Sequence, residues 1–237
     1  FAVKVIRNIH LMRKAAEKEI DILRRVEAKA KELNNARFIE LVSVFDHQTF
    51  LCMSFPLMWK NLRGAAKESG GRFDLKTAHM CVVQIAEALS LLKTLDLIHC
   101  DLKPDNILID QQLSHIKICD LGAAMEVKDA YITDDLGPRY YRCPEVILGF
   151  KYDGALDIWS FGCTSFELFT GEILFRGETN NAMLRCFMDL AGPFPDSMTT
   201  GGEFCPKHFV ENGDFIKGGA SSSEIPTDQY ASILPIE

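Results

Sequence analysis

The sequence predicts an α+β fold in two lobes, a small strand-rich first lobe and a larger, mainly helical second lobe. Three observations support this prediction. Short runs rich in β-branched and aromatic residues surround one charged helix within residues 1–55. Segments with apolar residues at helical spacing dominate from residue 76 onward. Between them, PLMWKN at 56–61 is typical of a connector, so we expect the lobes to join near residues 55–61.

The first lobe begins with FAVKVI, a short β-rich run that contains Lys4. A charged helix is predicted from Met12 to Leu33, where apolar side chains recur at helical spacing. Two strand-like runs follow at 39–45 and 50–55, and the DHQT between them is typical of a hairpin turn.

The second lobe is predicted to contain three long helices, at 76–95, 155–171 and 180–192. The middle helix is apolar on almost every turn, so we expect it to be buried on all sides and to end at Gly171. IKICD at 116–120 is predicted as a strand. The rest of the sequence is less regular. A long loop is predicted at 121–145. After Gly192 the sequence is rich in Gly, Pro and Ser, with GGASSSE at 218–224, and is predicted to be a partly mobile tail.

Composition limits the classes of function. The chain has 237 residues, of which 47% are hydrophobic and 25% charged, as in a folded globular protein rather than a disordered one. No unbroken apolar run approaches the ~18 residues of a membrane helix. The net charge of −7 argues against direct nucleic-acid binding. Eight cysteines without a C-x-x-C pair favour reduced thiols over a disulfide framework or a zinc site.

The stretch LIHCDLKPDNILI at 97–109 places polar residues between two segments that are expected to be buried. Asp101, Lys103 and Asn106 can point into one cleft from such a loop. A carboxylate accepts a proton from an attacking hydroxyl, an ammonium neutralises phosphoryl charge, and an amide oxygen binds Mg²⁺. Asp120, at the end of a predicted strand, could complete the metal site. The alternative is a polar turn in which Asp105 or Asn106 caps a local element.

The motifs of this chain resemble those of eukaryotic protein kinases. H-C-D-L-K-P-D-N resembles the catalytic loop and D-L-G the metal-binding D-F-G turn. A-V-K resembles the strand that carries the ATP-binding lysine, and C-P-E at 143–145 resembles the A-P-E that ends the activation segment. D-I-W-S-F-G at 157–162 resembles the motif that opens the buried helix of the large lobe. These motifs occur in the order of the family and cover nearly the whole chain.

The resemblance implies a protein-kinase-like two-lobed fold with ATP and Mg²⁺ as cofactors, and it implies roles for single residues. Asp101 corresponds to the catalytic base. Lys103 corresponds to the lysine that contacts the transferred phosphate and is typical of serine/threonine kinases. Asn106 and Asp120 correspond to the Mg²⁺ ligands, and Lys4 to the lysine that pairs with the α- and β-phosphates.

Lys4 requires a glutamate on the following helix, for which Glu17, Glu19 and Glu27 are candidates and Glu19 fits the family pattern best. The alternative for Lys4 and Glu19 is an exposed strand lysine and a solvated helix face. Phe55 is expected at the back of the ATP site. The hinge whose backbone meets adenine is predicted to consist of Pro56, Leu57 and Met58.

The resemblance divides the chain at residue 55. Residues 1–55 correspond to a partial small lobe with its third strand, its helix and its fourth and fifth strands. Residues 56–237 correspond to the hinge and a truncated large lobe with an insert from about residue 193. The glycine-rich loop that covers the ATP phosphates and the last helices of the large lobe are not among these residues, so we expect a fragment or an incomplete gene model rather than a short kinase.

R-Y-Y-R-C-P-E at 139–145 resembles the CMGC group of kinases, in which Arg142 is the characteristic arginine. The chain looks most like the pre-mRNA-processing splicing kinases, which are relatives of the DYRK kinases. This implies phosphorylation of protein substrates, with splicing factors as candidates, and a nuclear location with the cytoplasm as a second one. No direct nucleic-acid or membrane partner is expected.

Three departures from the family concern regulation and activity. Cys100 stands where many kinases have an arginine that binds an activation-loop phosphate, and a thiol cannot do so. Pro138 stands where serine/threonine kinases have a hydroxyl that bridges the catalytic Asp and Lys. Asp135 replaces a tyrosine of the splicing kinases, so it either substitutes for a phosphate near Arg139 and Arg142 or lies in a solvated acidic loop. Two hypotheses follow, an active serine/threonine kinase domain and a kinase-like pseudoenzyme that acts as a scaffold.

Overall fold

The computed structural model describes residues 1–216, which form the expected α+β fold. The predicted segment 218–224 lies outside the described residues. The helices are α1 (His10–Glu32), α2 (Leu62–Glu68), α3 (Leu75–Thr94), α4 (Pro144–Leu148), α5 (Ala155–Thr170), α6 (Asn180–Ala191) and α7 (Asp196–Thr200). The strands are β1 (Ala2–Val5), β2 (Ser43–His47), β3 (Phe50–Phe55), β4 (Lys60–Asn61), β5 (Leu97–Ile98), β6 (Ile107–Ile109), β7 (Ile116–Ile118) and β8 (Met125–Glu126).

The small lobe is an antiparallel sheet in the order β1-β3-β2, with α1 packed on one face. The apolar side of α1 buries Ala16 and Ile20 against Leu51 and Met53 of β3. Lys4 lies directly opposite Met53, and opposed residues of an antiparallel pair share a face of the sheet. The register of β1 therefore directs the Lys4 side chain toward α1.

The large lobe is built around α3, whose side chains from Ala78 to Leu92 pack in a core with β6 and β7. By length and hydropathy α3 is also the one helix in the described chain that could cross a membrane. Many of its apolar side chains, including Ile85 at 0% exposure, lie inside the protein, although Leu75 and Val83 are exposed. Burial in the core thus accounts for the apolar character of this helix.

The hairpin β6-β7 joins the two polar segments singled out in the sequence. The catalytic-loop candidate, residues 99–106, enters β6, and β7 leads to Asp120. The backbone N–H of Cys119 donates to the carbonyl of Asn106 over 2.9 Å. The hydrogen bonds between β6 and β7 therefore bring Asp120 next to the end of the loop that carries Asp101.

Several sequence predictions about elements are wrong in part. The predicted loop at 121–145 contains β8 and the first residues of α4, and the predicted irregular tail after Gly192 contains α7 and the buried residues Cys205 and Phe209. The first strand of the hairpin begins at Ser43 rather than residue 39, because the N–H of Ile39 donates to the carbonyl of Ile118 in the large lobe (2.9 Å). Helix α5 ends at Gly171 as predicted, with φ +82°, but it is not buried on all sides. Ile158 is 56% exposed, because the described chain places no element over that side of the helix.

Candidate active site

Lys4 forms the centre of a three-residue charge cluster between the lobes. Its ammonium donates to both carboxylate oxygens of Glu19, over 2.8 and 2.9 Å, and to Asp120 over 2.8 Å. Glu19 is held on α1 with only 5% of its side chain exposed. Burial alone would lower the pKa of Lys4, but the hydrogen bonds to Asp120 and Glu19 outweigh it and raise the pKa. Lys4 is therefore a fixed cation at the mouth of the cleft.

The other two glutamates considered for Lys4 point elsewhere. Glu17 is exposed on the α1 surface, 3.5 Å from Arg13. Glu27 pairs with Lys31 one turn along the helix, over 2.6 Å. Only Glu19 lies on the side of α1 that faces β1.

Asp120 occupies a left-handed backbone conformation, with φ +60°, two residues after the end of β7. Such a conformation is costly for most residues and is more accessible to Asp and Asn. Burial opposes ionisation of Asp120, but the hydrogen bond and charge of Lys4 outweigh it, so the pKa of this carboxyl lies below its ordinary value. Asp120 is consequently an anion in the cleft at neutral pH.

The loop before β6 assembles the second cluster around Asp101. The Lys103 ammonium donates to the two Asp101 carboxylate oxygens over 2.9 and 3.0 Å. The Asn106 amide donates to the Asp101 carboxylate over 2.7 Å and to the Asp101 carbonyl over 2.8 Å. The three residues that the sequence grouped by spacing thus hold one carboxylate in a fixed position.

A buried carboxylate that the sequence reasoning gave no role anchors this loop. Asp157 of α5, 2% exposed, accepts the backbone N–H groups of His99 (2.6 Å) and Cys100 (3.1 Å). Burial raises the pKa of Asp157. Cys100 has φ +67°, so these two bonds stabilise an unfavourable turn directly before Asp101. Asp157 belongs to D-I-W-S-F-G, a motif already recognised in the sequence. Its role as an acceptor could not be predicted because its two donors lie 57 and 58 residues away in sequence.

The donor set fits a Mg²⁺ ion shared with a phosphate ligand. Asn106 uses its side-chain nitrogen to bind Asp101, and no hydrogen bond within residues 1–216 occupies its side-chain oxygen. The Asp120 carboxylate is 47% exposed at the cleft. No three His, Cys, Asp or Glu side chains of the described chain cluster as a metal site. Magnesium is usually bound by only one or two carboxylates plus substrate phosphates and water, so two protein ligands suffice.

A family profile for the protein kinase domain matches residues 1–200. The chain belongs to the protein kinase family. It is 42% identical over 219 residues to the serine/threonine-protein kinase prp4 of Schizosaccharomyces pombe, which covers 92% of this chain and 46% of that protein. It is 38% identical over 218 residues to the serine/threonine-protein kinase prpf4B of Dictyostelium discoideum, covering 91% and 27%.

A third relative is the human dual specificity tyrosine-phosphorylation-regulated kinase 4, 34% identical over 193 residues that cover 81% of this chain and 37% of that protein. These similarities place the chain in the CMGC group, as its arginine at 142 predicts. The chain spans less than half the length of these curated relatives.

The predicted adenine-binding residues follow β3. Phe55 ends that strand, half-buried, and packs against the cores of both lobes. Met58 is half-buried against the large-lobe core, whereas the Leu57 side chain is 73% exposed. Neither the Leu57 nor the Met58 backbone enters a hydrogen bond within the described chain. Their polar groups are therefore available to a ligand, which is what contact between a hinge backbone and adenine requires.

A second ionic network, missed by the sequence reasoning, ties the catalytic loop to the activation segment of this kinase. Arg63 of α2 donates to both Asp105 carboxylate oxygens over 3.0 Å and to the Tyr141 hydroxyl over 2.7 Å. Arg63 and Tyr141 also both donate to the carboxylate of Glu167 in α5. Burial, reinforced by Glu167, raises the pKa of Tyr141, so its hydroxyl remains a donor.

The CMGC arginine organises the activation segment. Arg142, 6% exposed, donates to the Asp135 carboxylate over 2.8 Å and to the side-chain oxygen of Asn180 over 2.9 Å. It also donates to three backbone carbonyls, those of Asp134 (2.9 Å), Leu136 (3.0 Å) and Gly137 (2.9 Å). Of the two arginines considered as partners for Asp135, the structure pairs it with Arg142 and not with Arg139.

Proposed function

We propose that this chain is the catalytic domain of an active serine/threonine protein kinase that transfers the γ-phosphate of ATP to protein hydroxyls. The arrangement of Lys4 between Glu19 and Asp120 carries this proposal, because it joins the two lobes through the groups that bind phosphate and metal. An ammonium held by two carboxylates has a fixed position, and phosphoryl transfer depends mainly on positioning and charge.

Each residue of the cleft has a distinct task in this reaction. Lys4 binds the α- and β-phosphates from the small lobe. Asn106 and Asp120 would hold Mg²⁺, which when bound would neutralise charge on the phosphates. Asp101 accepts the proton of the attacking hydroxyl, and Lys103, 2.9 Å from it, neutralises charge on the transferred group.

Pro138 motivated the alternative of a pseudoenzyme, since it lacks the hydroxyl that bridges the catalytic Asp and Lys in related kinases. In this structure Lys103 contacts Asp101 directly and Asn106 donates to the same carboxylate. The bridge is thus not needed to hold the two groups together. The similarity to two serine/threonine-protein kinases also favours an active enzyme over a pseudoenzyme.

We further propose that the substrates are proteins of the pre-mRNA splicing machinery and that the kinase works in the nucleus. The support is the similarity to prp4 and prpf4B and the resemblance of the motifs to splicing kinases. Incubation of nuclear extract with the kinase and labelled ATP should label splicing proteins. Imaging of the tagged full-length protein tests its location.

Transfer of labelled γ-phosphate to a protein substrate by the full-length protein tests the activity. Asp101→Asn should lower kcat by about 10²–10⁴, because it removes the proton acceptor but keeps the shape of the side chain. Asp21→Asn, the same change on the exposed side of α1, should leave the rate within twofold of wild type. Equal rates for the wild-type protein and Asp101→Asn would refute the role of Asp101.

A further inference from the structure

Arg139 is an exposed guanidinium without a charged partner in the described chain. It lies in a short helical turn, Arg139–Tyr141, in which Tyr141 is buried and bound by Arg63. Tyr141 thus faces the interior, whereas Arg139 of the same turn is exposed to solvent. The backbone of Arg139 is thus held in a defined turn, while the charge of its guanidinium is not neutralised.

Four acidic side chains of the neighbouring segments are already paired with other cations. Asp135 binds Arg142 over 2.8 Å, and Asp134 binds Lys207 over 2.7 Å. In the catalytic loop, Asp101 binds Lys103 (2.9 Å) and Asp105 binds Arg63 (3.0 Å). Within residues 1–216, Arg139 thus carries a positive charge without a salt-bridge partner in the segment next to the catalytic loop. This is the situation expected of a group that binds an external anion.

Arg139 also lies within reach of a bound substrate. Two residues earlier, Gly137 packs so closely on the catalytic loop that a Cβ there would lie 2.7 Å from the Cys100 carbonyl oxygen. Two residues span at most about 7 Å, so the backbone of Arg139 stays close to Asp101. An extended peptide advances about 3.3 Å per residue. The guanidinium can therefore meet side chains within a few residues of the acceptor hydroxyl.

We infer that Arg139 is a specificity-determining residue that selects protein substrates with an anionic side chain within about four residues of the phosphorylated hydroxyl. This inference rests on the proposed kinase function. The shared chemistry is a carboxylate or a phosphate group accepted by the guanidinium fork. A phosphorylated side chain brings more charge and more acceptor oxygens than Asp or Glu. The preference should therefore be stronger for phosphoserine than for a carboxylate.

The test uses the full-length kinase and a set of peptides with one acceptor serine. Asp, phosphoserine or Ala is placed in turn at each position from four before to four after the acceptor. For the best position, the ratio of kcat/KM for the Asp peptide to that for the Ala peptide should be about 2–5. For phosphoserine we expect a ratio on the order of ten.

Three variants separate specificity from folding. Arg139→Ala should bring both ratios to about one, Arg139→Lys should keep part of the preference, and Arg139→Glu should reverse it in favour of a Lys-containing peptide. Arg185→Ala, which removes an exposed arginine on α6, should leave the ratios unchanged. A wild-type enzyme without preference, or an Arg139→Ala enzyme that keeps the full preference, would overturn the inference.

Peptide binding measured by fluorescence anisotropy distinguishes this inference from the proposed function. If no peptide is phosphorylated, the kinase proposal fails by itself. Selective binding of the anionic peptides that is lost in Arg139→Ala would still support the role of Arg139. Equal binding of the anionic and neutral peptides to the wild-type protein would refute that role.

Discussion

The catalytic loop and the activation segment lie side by side in this kinase but are held by different kinds of contact. The catalytic loop, residues 99–106, is anchored at its start by the buried carboxylate of Asp157, which accepts two backbone N–H groups. The activation segment near residue 135 is instead held by the buried Arg142, whose only carboxylate partner within residues 1–216, Asp135, is 88% exposed. Water can replace the exposed partner of Arg142 but not the buried acceptor of the loop.

The difference indicates which positions can be changed without loss of the fold. A buried acceptor that serves two backbone donors is needed for the geometry of Asp101 itself. An exposed carboxylate can be replaced or modified, because water can hydrate the partner that it leaves behind. We therefore expect removal of the buried Asp157 carboxylate to destabilise the fold more than removal of the exposed Asp135 carboxylate.

The largest effect is expected for Asp157→Ala. It leaves the N–H groups of His99 and Cys100 buried without an acceptor, and the free energy of unfolding should fall by about 2–4 kcal/mol. Asp157→Asn keeps one acceptor oxygen and should cost about half as much. Equilibrium denaturation in urea gives these values. The matched control Asp129→Ala, at an exposed carboxylate, should stay within about 0.5 kcal/mol of wild type. An equally small loss for Asp157→Ala would show that the buried carboxylate does not stabilise the catalytic loop.

A smaller effect is expected for Arg142→Lys. Lysine keeps the charge but offers three donors from one point, so it cannot reach all five acceptors of the arginine. We expect a loss of about 1–2 kcal/mol, with faster amide exchange at residues 134–137. Hydrogen exchange followed by mass spectrometry measures both effects. Arg176→Lys, at an exposed pair with Glu172, is the control. Unchanged exchange at 134–137 would show that packing, not Arg142, orders the segment.

The pair between Lys4 and Asp120 should give a pH-dependent effect of at most about 1 kcal/mol, since both side chains are partly exposed. The pKa of Asp120 is lowered in the folded protein, so its stabilising effect is complete above the unfolded value of about 3.9. It is lost as pH falls through the lowered folded pKa. The difference in unfolding free energy between wild type and Asp120→Asn should therefore be present at pH 6. It should vanish in acid, and a difference that persists there would refute the ionic origin.

Local sequence patterns predicted the elements that are formed by their own periodicity. The bounds of α1, α3, α5 and α6 differ from the predicted ones by two residues or fewer. The start of β2 was missed because Ile39 bonds to Ile118 in the other lobe, a contact between residues far apart in sequence. The seven-residue helix α2 was also missed, since so short a segment carries little periodic signal.

The candidate active site shows the same difference between contacts that are local in sequence and contacts that are distant in sequence. Asp101, Lys103 and Asn106 lie within six residues, and their spacing alone suggested that they act together. Arg63 and Asp157 were not assigned, because their partners lie 42 to 104 residues away in sequence. Long-range ionic contacts such as that between Arg63 and Glu167 depend on how the elements pack, which no local pattern encodes.

The smallest effect is expected at Asp135, the residue that occupies the place of a tyrosine in the splicing kinases. Its carboxylate lies 2.8 Å from Arg142 but is 88% exposed, so the pair contributes only ~0.2–1 kcal/mol. This can bias the order of the activation segment but cannot fix it. The remaining order comes from the bonds of Arg142 to the backbone carbonyls at 134, 136 and 137. Packing of Tyr140 and Tyr141 contributes as well, and Tyr141 is 3% exposed and bound by Arg63.

We therefore expect this kinase to depend less on activation-loop phosphorylation than its relatives. Asp135→Asn should lower activity by about 1.4–5-fold, the factor that such an energy allows. Asp135→Tyr should make activity responsive to tyrosine phosphorylation, because a phosphate would restore an anion beside Arg142. Both variants and the wild type are produced in a host without tyrosine kinases and assayed before and after treatment with one. Wild-type protein that is inactive until Tyr131 or Thr133 is phosphorylated would contradict this, because the Asp135–Arg142 pair would then be insufficient to order the segment.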